Sequence, residues 1–327
     1  MTATATATAR ELPQLRFFSI QRHRRIAWFG SLLACALSIL GLTLCWLNPA
    51  IRAPLRPGLD FTGGTQIQVE RACGSACGAL TAPAVQQSLA AITLPDSQGE
   101  RPPSLGSVSV QVLDGGKSLL LRLPALSPAQ SSAVLASINS VYGPLQSSGT
   151  SVNTIGPTLG DQLLRSSVIS LLVSFAAIAA YITFAYSGIF AFLALLCLAH
   201  DVLITCGLFA WLGLWLGIEV DSLFAVALIT VAGYSVTDTV IVYDRIREQK
   251  KNYGNLQLAD QVDIAVDATL TRSLYTSLTT VLPLVALIFF GGPSLFWFAI
   301  ALTTGMLVGS WSSIGLAPTL LPVCSRR

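Results

Sequence analysis

Six apolar runs punctuate the chain, and each is long enough to cross a bilayer as a helix. A hydrocarbon core of about 30 Å takes about 20 mostly apolar residues. The first run is Ile26 to Leu47. It is too long for a signal-peptide core and lacks a small-x-small cleavage site, so it reads as a retained anchor. The second begins near Ser166 and ends near Tyr186, and the third spans Gly188 to Leu214 with His200 and Asp201 inside it. Val220 to Tyr243 forms the fourth and contains Asp238. Gly291-Gly292-Pro293-Ser294 splits the last two, Thr269 to Phe290 and Leu295 to Val323.

A long polar stretch, 48 to 165, separates the first run from the second. Its pattern switches between period two and period 3.6. Asp60 to Glu70 is predicted as a strand with turn glycines Gly63 and Gly64, and Pro83 to Ile92 as a helix. Ser107 to Leu113 and Lys117 to Leu123 alternate around Asp114-Gly115-Gly116, a hairpin signal. Ser127 to Val141 opens with Ser-Pro, a good N-cap and first-turn pair, and reads as helix. Ser151 to Ile155 supplies a last short strand. The order βαββαβ predicts a small ferredoxin-like α+β unit. Such an open sheet can hold an extended peptide by strand addition, although fold alone does not establish that use.

Composition agrees with the pattern. The 327 residues are 53% hydrophobic and only 11% charged, with a mean hydropathy of +0.66. Soluble domains carry about a quarter charged residues, so a soluble globular class is excluded. The low charge excludes intrinsic disorder and the length excludes a small disulfide scaffold. A net charge of +3 gives no electrostatic case for nucleic acid. The fold class is thus a polytopic α-helical membrane protein. It has six transmembrane helices and a ferredoxin-like α+β domain between helices 1 and 2.

Lysine and arginine set the expected orientation. Arg10, Arg16, Arg22, Arg24 and Arg25 precede the first helix. Arg245, Arg247, Lys250 and Lys251 follow the fourth, and Arg326 and Arg327 follow the sixth. The positive-inside rule puts all of them, and both termini, in the cytoplasm. The expected division is a cytoplasmic segment 1–25, a first helix 26–47 and an extracytoplasmic domain 48–165. Helices 2–6 occupy 166–323 with a cytoplasmic loop 244–268, and 324–327 form a cytoplasmic tail.

Of the seven cysteines, Cys35, Cys45, Cys197 and Cys206 lie in apolar runs and read as small buried side chains. Cys324 sits at a cytoplasmic helix end and stays reduced. Cys73 and Cys77 share the outer domain, where an oxidising compartment favours a local disulfide over two free thiols. No further Cys and no His accompany them, which argues against a metal site.

Ionisable groups in spanning helices are costly and mark ion paths or pairs. Asp238 lies about six residues, or ~9 Å, from the helix end near Asp244. Arg272 lies about five residues, or ~7.5 Å, deep on the other side of the same loop. If their helices are neighbours, the two meet at similar depth. An acid facing an arginine changes its proton affinity sharply when the pair opens, which is the physics of a proton relay. The competing reading is a static ion pair joining two helices. Thr269, Ser273, Thr276 and Thr280, with Thr279 beside them, place hydroxyls on one helix face. They either line a water wire beside Arg272 or serve as ordinary small packing residues. Asp201 is a second protonatable site or a partner for a neighbouring helix.

Other chemistry falls away. Only His23 and His200 are present, with no His-Glu-x-x-His, so a zinc peptidase fails. Gly115-Gly116-Lys117-Ser118 imitates the end of a P-loop, but Gln111 stands where its first Gly belongs. Glu219 and Asp221 sit at an outer helix boundary and read as solvated. No nucleophile–base set appears, so no enzyme activity is expected, and no cofactor beyond protons as the coupling ion.

Five motifs in order resemble the SecD/SecF family of protein-export membrane proteins. They are Gly58-Leu59-Asp60-Phe61-Thr62-Gly63-Gly64, Leu198-Ala199-His200-Asp201-Val202, the run Gly233 to Glu248 around Asp238, the run Thr271 to Thr280 around Arg272, and Gly309 to Pro318. The resemblance implies an accessory of the Sec channel in the resistance-nodulation-division superfamily, whose two six-helix halves pack about a pseudo-twofold axis. This chain would supply one half, so a SecD-like partner is expected, with the SecY/SecE/SecG channel, SecA, the translocating preprotein and membrane lipid around it. Proton flow would drive late translocation and release, and by motif position Asp238 and Arg272 fall on the family's proton path; Asp201 and Thr276 join the expected path from the residue readings above. The bacterial plasma membrane is the expected site, an internal energy-transducing membrane the other option. A proton-coupled small-molecule exporter of the same superfamily, or a scaffold with a fixed Asp238–Arg272 pair, are the alternatives. One departure is Phe184-Ala185-Tyr186 at the end of the second helix, where the family often has an arginine.

Overall fold

The computed structural model describes residues 19–72, 80–96, 102–105, 108–113, 116–146 and 149–325. Cys73 and Cys77 lie outside the described residues, as do Asp114 and Gly115 of the expected hairpin turn. The chain divides into two units, one of residues 57–169 with 219–222, the other of 1–56, 170–218 and 223–327.

In chain order the elements are α1 (Arg24–Leu47), α2 (Leu59–Thr62), β1 (Gly64–Glu70), α3 (Ala82–Ala90), β2 (Ser109–Leu113), β3 (Ser118–Leu123), α4 (Pro128–Tyr142) and β4 (Ser151–Ile155). There follow α5 (Pro157–Ala185), α6 (Gly188–Trp215), α7 (Ser222–Asn252), α8 (Leu258–Phe290), α9 (Gly292–Trp311), a π-helical stretch Ser312–Leu316 and α10 (Ala317–Cys324).

The α+β unit has the expected βαββαβ order. Its sheet runs β2-β3-β1-β4 and every neighbouring pair is antiparallel. Strand alternation sends Leu119, Leu121 and Leu123 of β3, with Ile67 and Val69 of β1, into one core. Val85 and Leu89 of α3 and Val134 and Ile138 of α4 close it from the helix layer. Ser127 caps α4 in a reciprocal box: its hydroxyl accepts from the Gln130 amide at 3.3 Å, and the Gln130 side chain accepts from the Ser127 amide at 3.0 Å.

The first strand is shorter than its pattern predicts. It starts at Gly64, and Leu59–Thr62 form a helical turn instead. Gly63 ends that turn at φ +68° and Gly64 follows at +129°, backbone geometry that glycine adopts without a Cβ penalty.

Among the described residues, six helices are long and apolar enough to cross a membrane. Two boundaries differ from the hydropathy pattern. Helix α5 begins at Pro157 rather than near Ser166, because its polar first turns continue the helix and pair Arg165 with Asp161 at 2.9 Å. Most of the expected loop 244–268 is helical too: α7 runs on to Asn252 and α8 starts at Leu258. A drop in hydropathy marks where apolar side chains stop, not where backbone hydrogen bonding stops.

Small residues set the closest approaches. A Cβ on Gly207 of α6 would lie 2.2 Å from Ser38 of α1, and one on Gly305 of α9 would lie 2.3 Å from Val231 of α7. Where the family often has an arginine at the end of α5, Tyr186 donates its hydroxyl to Asp244 at 3.0 Å. The Arg247 guanidinium lies 5.5 Å from the centre of the Tyr186 ring, so a cation from α7 stands at that position.

Candidate functional site

Among the described residues, three carboxylates are buried in the helical unit, Asp201 on α6 at 0% exposure, Asp238 on α7 at 4% and Asp263 on α8 at 8%, and the first two lie within apolar runs. A buried carboxylate is tolerated only with donors or a cation around it. Here the donors are hydroxyls. Asp201 Oδ2 accepts from Ser235 Oγ at 2.5 Å and from Ser312 Oγ at 2.7 Å. Its Oδ1 lies 2.7 Å from His200 Nδ1. Asp238 Oδ1 accepts from Ser273 Oγ at 2.9 Å, and its Oδ2 from Ser313 Oγ.

The π-helical stretch is what joins the two acids. Neighbouring residues of a helix project in different directions, so Ser312 and Ser313 reach different partners, one on α6 and one on α7. Such stretches are rare single-turn insertions, often found at functional sites. Gly309, one turn earlier, clears the space: a Cβ there would lie 3.2 Å from Ser235 Cβ and 3.6 Å from Asp201 Oδ2. A further tier continues the hydroxyl set, with Ser277 Oγ 2.6 Å from Ser310 Oγ and accepting from Tyr234 at 3.0 Å. His200 Nε2 is buried and has no hydrogen-bond partner among the described residues.

The expected pairing of Asp238 with Arg272 is not made. Among the described residues, Arg272 hydrogen-bonds through its backbone only and forms no ion pair; it lies on the exposed face of α8, one residue from the serine that does reach Asp238. The helix phase decides this, since residues 272 and 273 point about 100° apart. Thr276 shares the exposed face and donates to the Arg272 carbonyl at 2.8 Å. The buried hydroxyl stripe is therefore Thr269, Ser273 and Ser277, spaced by four, in place of Thr269, Ser273, Thr276 and Thr280. The spacing that reveals Ser277 is present in the sequence. Ser312 and Ser313 carry no such signal, because only tertiary packing brings them to the carboxylates.

Gly58, Asp60, Gly63 and Gly64 belong to the α+β unit. Gly58 donates its amide to the Val220 carbonyl at 2.8 Å, and a Cβ there would lie 2.9 Å from the same oxygen. Asp60 Oδ2 accepts from the Ser222 amide at 3.1 Å and from its hydroxyl.

A set of long apolar helices enclosing an acid pair wired by serines defines a polytopic membrane protein with a buried protonatable core. Residues 134–327 match the model for protein export membrane protein SecD/SecF, C-terminal, and residues 52–73 match the SecD/SecF GG motif. The chain belongs to the SecD/SecF family. It is 53% identical over 304 residues to the protein translocase subunit SecF of Prochlorococcus marinus, covering 93% of this chain and 94% of that one. It is 42% identical over 297 residues to SecF of a Synechocystis strain, covering 90% of each. The crystal structure of SecDF from Thermus thermophilus, a translocon-associated membrane protein, superimposes with a TM-score of 0.77 at 29% identity. That match covers 95% of this chain and 39% of the SecDF chain.

Proposed function

We propose that this chain is the SecF subunit of a Sec protein translocase and that it uses the proton motive force to assist late translocation and release of exported polypeptides. Asp238 takes up and releases the coupling proton, Asp201 is a second station, and protons are the only cofactor. The observation that carries this reading is the position of Asp238, buried in an apolar helix with hydroxyl donors from α8 and the π-helical stretch. Hydroxyls both donate and accept, so they serve a carboxylate and a carboxylic acid alike. A fixed ion pair needs the opposite, a cation held against the acid.

Arg272 and Thr276 lie on a face that the described residues leave exposed, beside exposed Leu274, Tyr275 and Leu278. That supports a SecD-like half packed on α8, bringing the guanidinium into the path only in the assembled pair. The relatives named SecF, and the single SecDF chain of which this one spans 39%, support such a partner. We assign the complex to the bacterial plasma membrane with both termini cytoplasmic, next to SecY/SecE/SecG, SecA and the preprotein. The β2-β3-β1-β4 order supports reading the α+β unit as ferredoxin-like, and we put it outside the cytoplasm.

The test is release of an exported protein from membranes rebuilt with the SecD-like partner and the channel, with and without a proton gradient. The gradient should accelerate release with the wild type and not with Asp238→Asn at equal abundance. A variant that keeps its full response would make the acid structural.

A further inference from the structure

The glycine motif near the start of the α+β unit holds the first turns of two long helices. Asp60 Oδ2 takes the first amide of α7, that of Ser222, at 3.1 Å and the Ser222 hydroxyl as well. An isolated helix leaves that amide without a partner, and a carboxylate beside a helix N-terminus is favoured by the helix dipole. Two residues before, the Gly58 amide binds the Val220 carbonyl at 2.8 Å, and Pro57 pairs with Val220 as a parallel bridge. From β3, Arg122 forms an ion pair with Glu219. The other end of the motif presses on α5. A Cβ on Gly63 would lie 2.9 Å from Pro157 Cα, and a Cβ on Gly160 would lie 2.9 Å from the Gly63 amide. Gly64 then enters β1, one of the two inner strands, which pairs with both β3 and β4.

We infer that the Gly58–Gly64 loop is a mechanical joint that passes displacement of α7 to the sheet, with Asp60 as its positioning residue. The inference rests on the proposed proton-driven function. Asp238 lies 16 residues into α7 from Ser222, about 24 Å along one continuous helix. A rigid helix whose inner end responds to protonation shifts its outer end too, and only a firmly held end hands that shift to the sheet. Three holds on 219–222 converge on this end, two from the glycine motif, of which the Gly58–Val220 bond also makes the Pro57 bridge, and one from β3. The Gly63 and Gly160 positions leave no room for a side chain to act as a spacer.

The test uses the full chain rebuilt with its SecD-like partner and channel, and reads two quantities from the same vesicles. One is gradient-stimulated release of an exported protein, and the other is proton entry followed with a trapped pH dye. Asp60→Ala should keep proton entry within about twofold of wild type and lose at least fivefold of the stimulation of release. Asp60→Asn retains one acceptor for the Ser222 amide, since Asn caps helices about as well as Asp, and should keep at least half of the stimulation. Ser222→Ala removes only the hydroxyl donor and should fall between the two; it decides the matter if Asp60→Ala does not accumulate in membranes. Full stimulation in Asp60→Ala overturns the joint. So does parallel loss of proton entry and release, because the motif would then act on the path itself. A wild type whose release ignores the gradient overturns the proton-driven function, and the joint with it; that outcome is visible before any variant is made.

Discussion

Asp238 has both carboxylate oxygens occupied, and each partner is a serine on a different segment, α8 and the π-helical stretch. Removing one leaves an oxygen buried without a donor, which costs about 1–3 kcal/mol. Ser313→Ala should therefore lower the thermal stability of the purified chain by that amount and blunt the gradient response. Ser313→Thr keeps the hydroxyl and should restore most of both. An Ala variant as stable as wild type would mean that the bond to Asp238 is not made. The acids themselves were legible from the sequence, because a carboxylate in an apolar run is rare enough to stand out. The serines were not, since Ser and Thr are common in spanning helices and nothing local separates a donor from a packing residue. Arg272 shows the converse. Its depth suits a meeting with Asp238, but depth says nothing of rotation about the helix axis.

At the scale of elements, α9 lies against α7 through Gly305 and Gly309, one turn apart. Close approach is what carries the following π-helical stretch to both acids. A Cβ on Gly305 would stand 2.3 Å from Val231 Cγ2, far inside contact distance. Gly305→Ala should destabilise by about 1–3 kcal/mol through overpacking. Val231→Ala removes the obstructing methyls, so the double variant should be more stable than the sum of the single effects predicts, a coupling between touching residues. Simple additivity in thermal unfolding would refute this packing. Neither feature was legible in the sequence: Gly305 and Gly309 are small residues with nothing local to say which helix they meet, and Ser312–Leu316 has no residue that demands an inserted turn, so the register change is settled by what α6 and α7 offer it.

At the scale of the whole molecule, the hydropathy pattern already contained the six spans and the βαββαβ order, because both follow from apolar periodicity. What it lacked was which face of α8 this chain covers. Ser273 and Ser277 are buried while Arg272 and Thr276 are exposed, and among the described residues the Arg272 side chain makes no hydrogen bond or ion pair. A guanidinium in a spanning helix is nonetheless costly, which fits the role proposed for Arg272 in an assembled pair. Two measurements on Arg272→Ala separate these levels. In the purified chain the substitution should change unfolding stability by no more than about 0.5 kcal/mol, as for a side chain without native partners. In membranes rebuilt with the SecD-like half, the same variant should lose the gradient stimulation of release, the outcome expected of Asp238→Asn too. A large destabilisation of the isolated chain would place a partner for Arg272 within this chain. An undiminished gradient response would remove the guanidinium from the proton path, leaving the serine-bound acids to carry it without a cation.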